Sequence, residues 1–229
     1  GIANDVKVKI EWVSSERYEA GALERHFEGF DGLLIPGGFG DRGIEGMLMA
    51  IEWARENGLP FFGICLGLQC AIIEYARNVS GRTGANSVEF DADTEHPVIC
   101  LMDSQQQVTT KGGTMRLGEY AASLQEGSRV EEVYADQEIK ERHRHRYEVN
   151  NEYRELFERS GLIMSGTSPD QGLVEVIELP DHPWFIACQF HPELKSRPNR
   201  PHPLFASFIK AAAAHAAGSQ TRAAVGARE

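Results

Sequence analysis

The chain has 229 residues, 41% hydrophobic and 25% charged, with a formal net charge of −11. That is enough apolar content for one sizeable core, and the charge argues against a nucleic-acid or anionic-membrane surface. No run approaches the roughly 18 apolar residues of a membrane span, and Gly1 opens a polar segment rather than a signal peptide, so a cytoplasmic protein is expected. The four cysteines, Cys65, Cys70, Cys100 and Cys188, lack framework spacing and sit in apolar runs. They read as buried thiols or as one nucleophile, not as disulfides.

Taken in order, "VKVKIEWV" (Val6–Val13) alternates like a strand. "GLLIPGG" (Gly32–Gly38) and "PFFGICL" (Pro60–Leu66) are apolar runs closed by turn residues. Helical spacing fills Ile44–Gly58 and Gly67–Val79. Strand, helix, strand, helix predicts an α/β fold, a mostly parallel central sheet flanked by helices. The second half adds the extended runs "PVICLM", "LVEVIEL" and "WFIACQF", and helical stretches over Asn151–Ser160 and Leu204–Ala216. One domain over residues 1–216 is expected, with 217–229, small and polar, as a flexible C-terminal tail.

"GICLGLQ" (Gly63–Gln69) leaves an apolar strand and enters a helix. A G-x-C-x-G stretch in that place is the thiol counterpart of a nucleophile elbow, whose turn is too tight for side chains two residues before and after the nucleophile. Gly63 and Gly67 meet that demand and leave Cys65 at a helix N-terminus, where unpaired N–H groups favour an anion. The alternative is a buried cysteine at a strand end. "QFHPE" (Gln189–Glu193) follows another apolar run, so His191 falls at a strand's C-terminal end, and in extended chain Glu193 faces the same way. Alone, His-Pro-Glu is an ordinary turn. With the elbow it completes thiolate, proton shuttle and orienting carboxylate.

"PGGFG", "GICLGLQ" and "FHPE", in this order, resemble the class I (triad) glutamine amidotransferase domain, with its nucleophile elbow. "ANSVEF", "GGTMRLG" and "ERHRHRYEVNN" narrow the resemblance to the C-terminal glutaminase domain of the CTP synthase family, over about residues 6–212. The resemblance implies a catalytic triad of Cys65, His191 and Glu193, acting on L-glutamine through a γ-glutamyl thioester. It implies oxyanion donors at Leu66 and the Gly37-Gly38 turn. Arg146 would grip the substrate carboxylate and Glu89 its ammonium, with Gln69 and the backbone of Leu66, Gly67 and Leu68 lining the pocket. Gly38 has its own rationale, since bare backbone can approach a substrate closely.

"GGTMRLG" resembles a mobile lid, in which Thr114 and Arg116 would take part in a response to GTP as allosteric activator. Alternating His and Arg in "RHRHR" make a poor metal site, because the arginine cations repel a metal ion, and a solvated basic strand is the plainer reading. No metal and no cofactor is expected in this domain. The resemblance places ATP, magnesium and UTP in an amidoligase domain. No G-x-x-x-x-G-K-[ST] occurs here, so that domain is expected as a separate partner. The family's glutaminase domain opens with a strand and helix before the segment matching Asp5–Val13, so a domain lacking both is expected. The isolated chain is expected to be monomeric, within a homotetrameric full-length enzyme. Two alternatives stay open: a free-standing triad amide hydrolase, and a non-catalytic glutamine-binding regulatory module.

Overall fold

The computed structural model describes residues 1–17, 27–101, 115–170 and 172–226. In chain order its elements are β1 (Leu33–Ile35), α1 (Ile44–Glu56), β2 (Phe61–Ile64), α2 (Leu66–Asn78), β3 (Ala85–Ser87), β4 (His96–Leu101), β5 (Arg116–Leu124), α3 (Arg129–Tyr134), β6 (Glu138–His145), β7 (Tyr147–Val149), α4 (Arg154–Arg159), β8 (Ile163–Thr167), β9 (Val174–Glu178), β10 (Phe185–Cys188) and α5 (Pro203–Gly226). The main sheet runs β1-β2-β10-β9-β8-β5-β6, and a smaller one runs β3-β4-β7.

Alternation along β2 builds two cores, one on each face. Phe61 turns toward α1 and α2 and meets Phe185, ring centroids 4.5 Å apart. Phe62 turns the other way, to Trp184, Phe205 and Phe208 at 5.5 to 5.8 Å, under α5. Both rings are fully buried, and each such side chain contributes roughly 1.5–3 kcal/mol by leaving water. On α1 the buried stripe Ile44, Leu48, Ile51 and Ala54 has helical spacing, whereas α2 is buried from Leu66 to Ala76 on all sides. A charge inside such a helix needs a partner. Glu74 of α2, with no exposed surface, receives Arg55 of α1 through Nη2 at 2.7 Å and Nε at 3.1 Å.

Three expectations are corrected. Val6–Val13 forms no ladder with any described strand, and Val8, Ile10 and Trp12 stand exposed; alternation prepares a face, but a strand also needs a hydrogen-bonding neighbour. The sheet is mixed rather than mostly parallel. Only β1 and β10 run parallel to β2, and every further neighbour is antiparallel. That half reads as half-solvated hairpin: β6 alternates exposed and buried along its whole length against β5. The stretch expected to be a tail instead continues α5 to Gly226, since its alanines favour helix.

Candidate active site

Strand β2 ends at Ile64 and α2 begins at Leu66, which leaves Cys65 alone to reverse the chain. Its backbone sits at φ 51°, ψ −98°, a conformation that costs a non-glycine residue on the order of 1–3 kcal/mol. The surroundings enforce it. The Cys65 N–H donates to the Cys188 carbonyl at 2.7 Å. A Cβ on Gly63 would lie 2.8 Å from the Gly67 carbonyl oxygen, and one on Gly67 would lie 2.4 Å from that of Ile35. The reason for glycine on both sides of Cys65 is therefore steric, as the motif implied. Leu66 opens the helix, so its N–H belongs to the first turn, which has no intrahelical acceptors.

His191 lies just past β10 and is tied to β6 by its own N–H, which donates to the Arg142 carbonyl at 2.8 Å. The side-chain pairing expected from extended chain is reached differently. A 3-10 turn over Pro192–Leu194 brings Glu193 back, with its Oε1 2.6 Å from His191 Nδ1. Interaction with Cys65 first, and with Glu193 second, outweighs burial and raises the His191 pKa to about 10. Burial works against the Glu193 carboxylate, but the hydrogen bond from His191 prevails and holds its pKa below the ordinary value. His191 Nε2 is buried without a partner in ordinary hydrogen-bond geometry. Gly37 sits at the junction: a Cβ there would be 2.7 Å from His191 Cε1 and 3.6 Å from Cys65 Cβ. One at Gly38 would be 2.8 Å from Leu66 Cδ2. The Gly37-Gly38 turn therefore touches both the imidazole and the start of α2.

Cys70 and Cys188 have no exposed surface. Burial pushes Cys70 up to about 12 and Cys188 well above the ordinary range, so both stay protonated. Glu89, in the loop after β3, accepts the Gly40 N–H at 3.0 Å, which places its carboxylate beside the glycine turn. Arg146 is half-buried in the bend between β6 and β7. Gln69 is buried and donates to the Tyr147 carbonyl at 3.1 Å. Leu68 turns its side chain into the core, so only its backbone can face a substrate. The side-chain position of Gly67 faces β1. The motif reading assigned no role to Gln189, which is fully buried and donates from Nε2 to Cys65 Sγ at 3.6 Å. The available signal was a polar residue at the end of an apolar strand, two positions before His191.

Arg116 does not stand on an open lid. It begins β5, buried, and pairs through Nη2 with Glu175 at 2.7 Å and through Nη1 with Glu148 at 3.3 Å, its guanidinium 4.6 Å from the Tyr120 ring centre. Two buried carboxylates hold it. Thr114 lies outside the described residues. "RHRHR" is also more than a solvated basic strand. Arg142 and Arg144 are exposed, but His143 and His145 point inward, Nδ1 to Nε2 at 2.8 Å, and burial lowers their pKa values to about 2 and about 3. Both are neutral. Burial likewise raises Glu148 to about 8, against the pull of Arg116. Among the described residues no group of three His, Cys, Asp or Glu side chains could hold a metal ion, and no helix is long and apolar enough to cross a membrane.

A strained cysteine at a strand-helix elbow, facing a histidine-glutamate pair across a glycine turn, is the arrangement of a cysteine amidohydrolase. The chain belongs to the class-I glutamine amidotransferase family, whose model matches residues 1–211. Among solved structures it is similar to the Trypanosoma brucei CTPS glutaminase domain with bound acivicin. The TM-score is 0.86 at 39% identity, over 93% of this chain and 83% of that one. It is also similar to the CTP synthases of Caldanaerobacter subterraneus subsp. tengcongensis and Clostridium acetobutylicum, at 57% identity over 211 and 212 residues. Those alignments cover 92% and 93% of this chain but 39% and 40% of the relatives' own length.

Proposed function

We propose that this chain hydrolyses L-glutamine and supplies the ammonia as the glutaminase part of a CTP synthase. The observation that carries the reading is Cys65 on its enforced elbow beside the His191-Glu193 pair, whose 2.6 Å contact and raised pKa favour imidazolium next to thiolate.

In this reading the Cys65 sulfur attacks the substrate Cδ. The developing oxyanion is met by the N–H groups of Leu66 and the Gly37-Gly38 turn. Collapse breaks the C–N bond, and ammonia leaves with the proton from His191, giving a neutral γ-glutamyl thioester. Acylation itself prepares the second half. Interaction with Cys65 is the largest influence raising the His191 pKa, and it is lost once the sulfur is esterified. The imidazole then becomes a base suited to deprotonating water. Hydroxide attack and expulsion of the Cys65 thiolate release glutamate. Arg146 holds the substrate carboxylate and Glu89 its ammonium, while Gln69 lines the pocket between them.

Similarity to CTP synthases over about two fifths of their length supports a partner amidoligase domain; in this reading that domain binds UTP, ATP and magnesium, and GTP is the allosteric activator. No cofactor or metal is assigned to the glutaminase chemistry, and a cytoplasmic setting, a monomeric isolated chain and a homotetrameric full-length enzyme complete the proposal. The test is ammonia release from glutamine by this chain, alone and with an added CTP synthase amidoligase domain and GTP. Acceleration by that domain is expected. Equal rates with and without it would favour a free-standing hydrolase, and no release under either condition would leave only a glutamine-binding module.

A further inference from the structure

Two buried amides connect the expected substrate clamp to the sulfur, and their orientation is dictated by a backbone carbonyl. Gln69 places Nε2 3.1 Å from the Tyr147 carbonyl oxygen, which can only accept, so the amide end of Gln69 that faces it must be the donor. The same Nε2 lies 3.3 Å from the side-chain oxygen of Gln189. That fixes Gln189 in turn, and its own Nε2 is left facing Cys65 Sγ at 3.6 Å. Gln189 has no exposed surface, and its main-chain N–H is tied to the Glu175 carbonyl at 2.9 Å. Nothing in this arrangement can rotate without stranding a buried donor.

We propose that Gln189 is a positioning residue for the nucleophile: its amide, latched by Gln69 to the Tyr147 carbonyl, donates to the Cys65 sulfur and stabilises it as an anion at a buried position. The inference rests on Cys65 being the nucleophile. A buried thiolate has lost its hydration, and a fixed N–H directed at it replaces part of what water supplied. His191 supplies one interaction, and Gln189 supplies a second that does not move during proton transfer. When the thioester breaks down, the sulfur leaves as an anion again, and the same donor meets it. The latch ends at Tyr147, the residue after Arg146, so the accepting carbonyl is adjacent in the chain to the expected carboxylate clamp.

The test is the pH dependence of Cys65 alkylation by chloroacetamide, followed by peptide mapping, in the unaltered chain and in Gln189→Met and Gln69→Met. The first variant keeps the volume and removes the donor, and the second unlatches Gln189 without touching the sulfur. In Gln189→Met the pH of half-maximal alkylation should rise by roughly one to two units, the equivalent of one charge-assisted hydrogen bond. Below that pH the rate should fall roughly 10- to 100-fold. Gln69→Met should shift in the same direction by less. A packing role alone changes thermal unfolding and leaves this titration in place, so half-maximal pH values unchanged in both variants overturn the proposal. Cys65→Ala separates the two layers. If it retains glutaminase activity, the nucleophile assignment itself fails; if it is inactive while the Gln189 and Gln69 variants titrate as the unaltered chain does, only the role of Gln189 falls.

Discussion

Replacing Gly37 by alanine changes one methyl group at the point where the site is tightest. Gly37 has no left-handed backbone to strain, so the effect is contact alone. The new Cβ would meet His191 Cε1 at 2.7 Å, whereas ordinary contact starts near 3.4 Å, so the ring must retreat by about 0.7 Å. It is poorly free to do so, because Nδ1 is held 2.6 Å from Glu193 and the main chain is bonded to Arg142. Displacements near 1 Å cost up to about 100-fold in rate. The expected loss in kcat is therefore roughly 10- to 100-fold, or about 1.4–2.7 kcal/mol in the barrier, with KM for glutamine and Tm close to unchanged. Gly38→Ala is the control. Its Cβ would meet the far end of Leu66, Cδ2 at 2.8 Å, which can rotate aside, so its loss should be clearly smaller. Steady-state ammonia release measures both. Undiminished kcat in Gly37→Ala, or a loss explained by unfolding, would refute the placement of His191 against this turn.

The His191 imidazole should titrate near pH 10 by NMR and at a lower pH in Cys65→Ala, which removes the largest influence on it. Because the folded pKa lies above the ordinary 6.5, its contribution to stability is complete below about pH 6.5 and is lost as pH rises through about 10; an unshifted His191 would contradict the ion pair. Arg146→Ala should raise KM for glutamine by roughly 10- to 100-fold with kcat less affected, as expected for one charge-assisted pair, and an unchanged KM would move the carboxylate clamp elsewhere. Arg55→Ala leaves the Glu74 carboxylate buried without its guanidinium and should destabilise the fold by roughly 3–5 kcal/mol in urea unfolding. A change below about 1 kcal/mol would show that water reaches Glu74.

The elbow was legible because its demand is local: two glycines at fixed offsets from Cys65 answer a clash that any strand-to-helix reversal of this kind produces. His191 and Glu193 were legible for a similar reason, although a 3-10 turn and not extended chain makes their contact. The burial of Arg116 was not legible because the residues that bury it, Glu148 and Glu175, are 32 and 59 positions away, and nothing near "GGTMRLG" announces them. The same distance hid Gln189, which lies 124 residues from the sulfur it faces. Val6–Val13 shows the opposite failure, a strong local pattern for which no described strand supplies a ladder. Local chemistry can be read from spacing, whereas pairings across the chain require the fold.

The central claim is a covalent step at one sulfur. Acid quenching during glutamine turnover, followed by peptide mass spectrometry, should find a γ-glutamyl group on Cys65 and on no other cysteine, and Cys65→Ala should release no ammonia. An adduct on Cys70, Cys100 or Cys188, or sustained hydrolysis by Cys65→Ala, would contradict it.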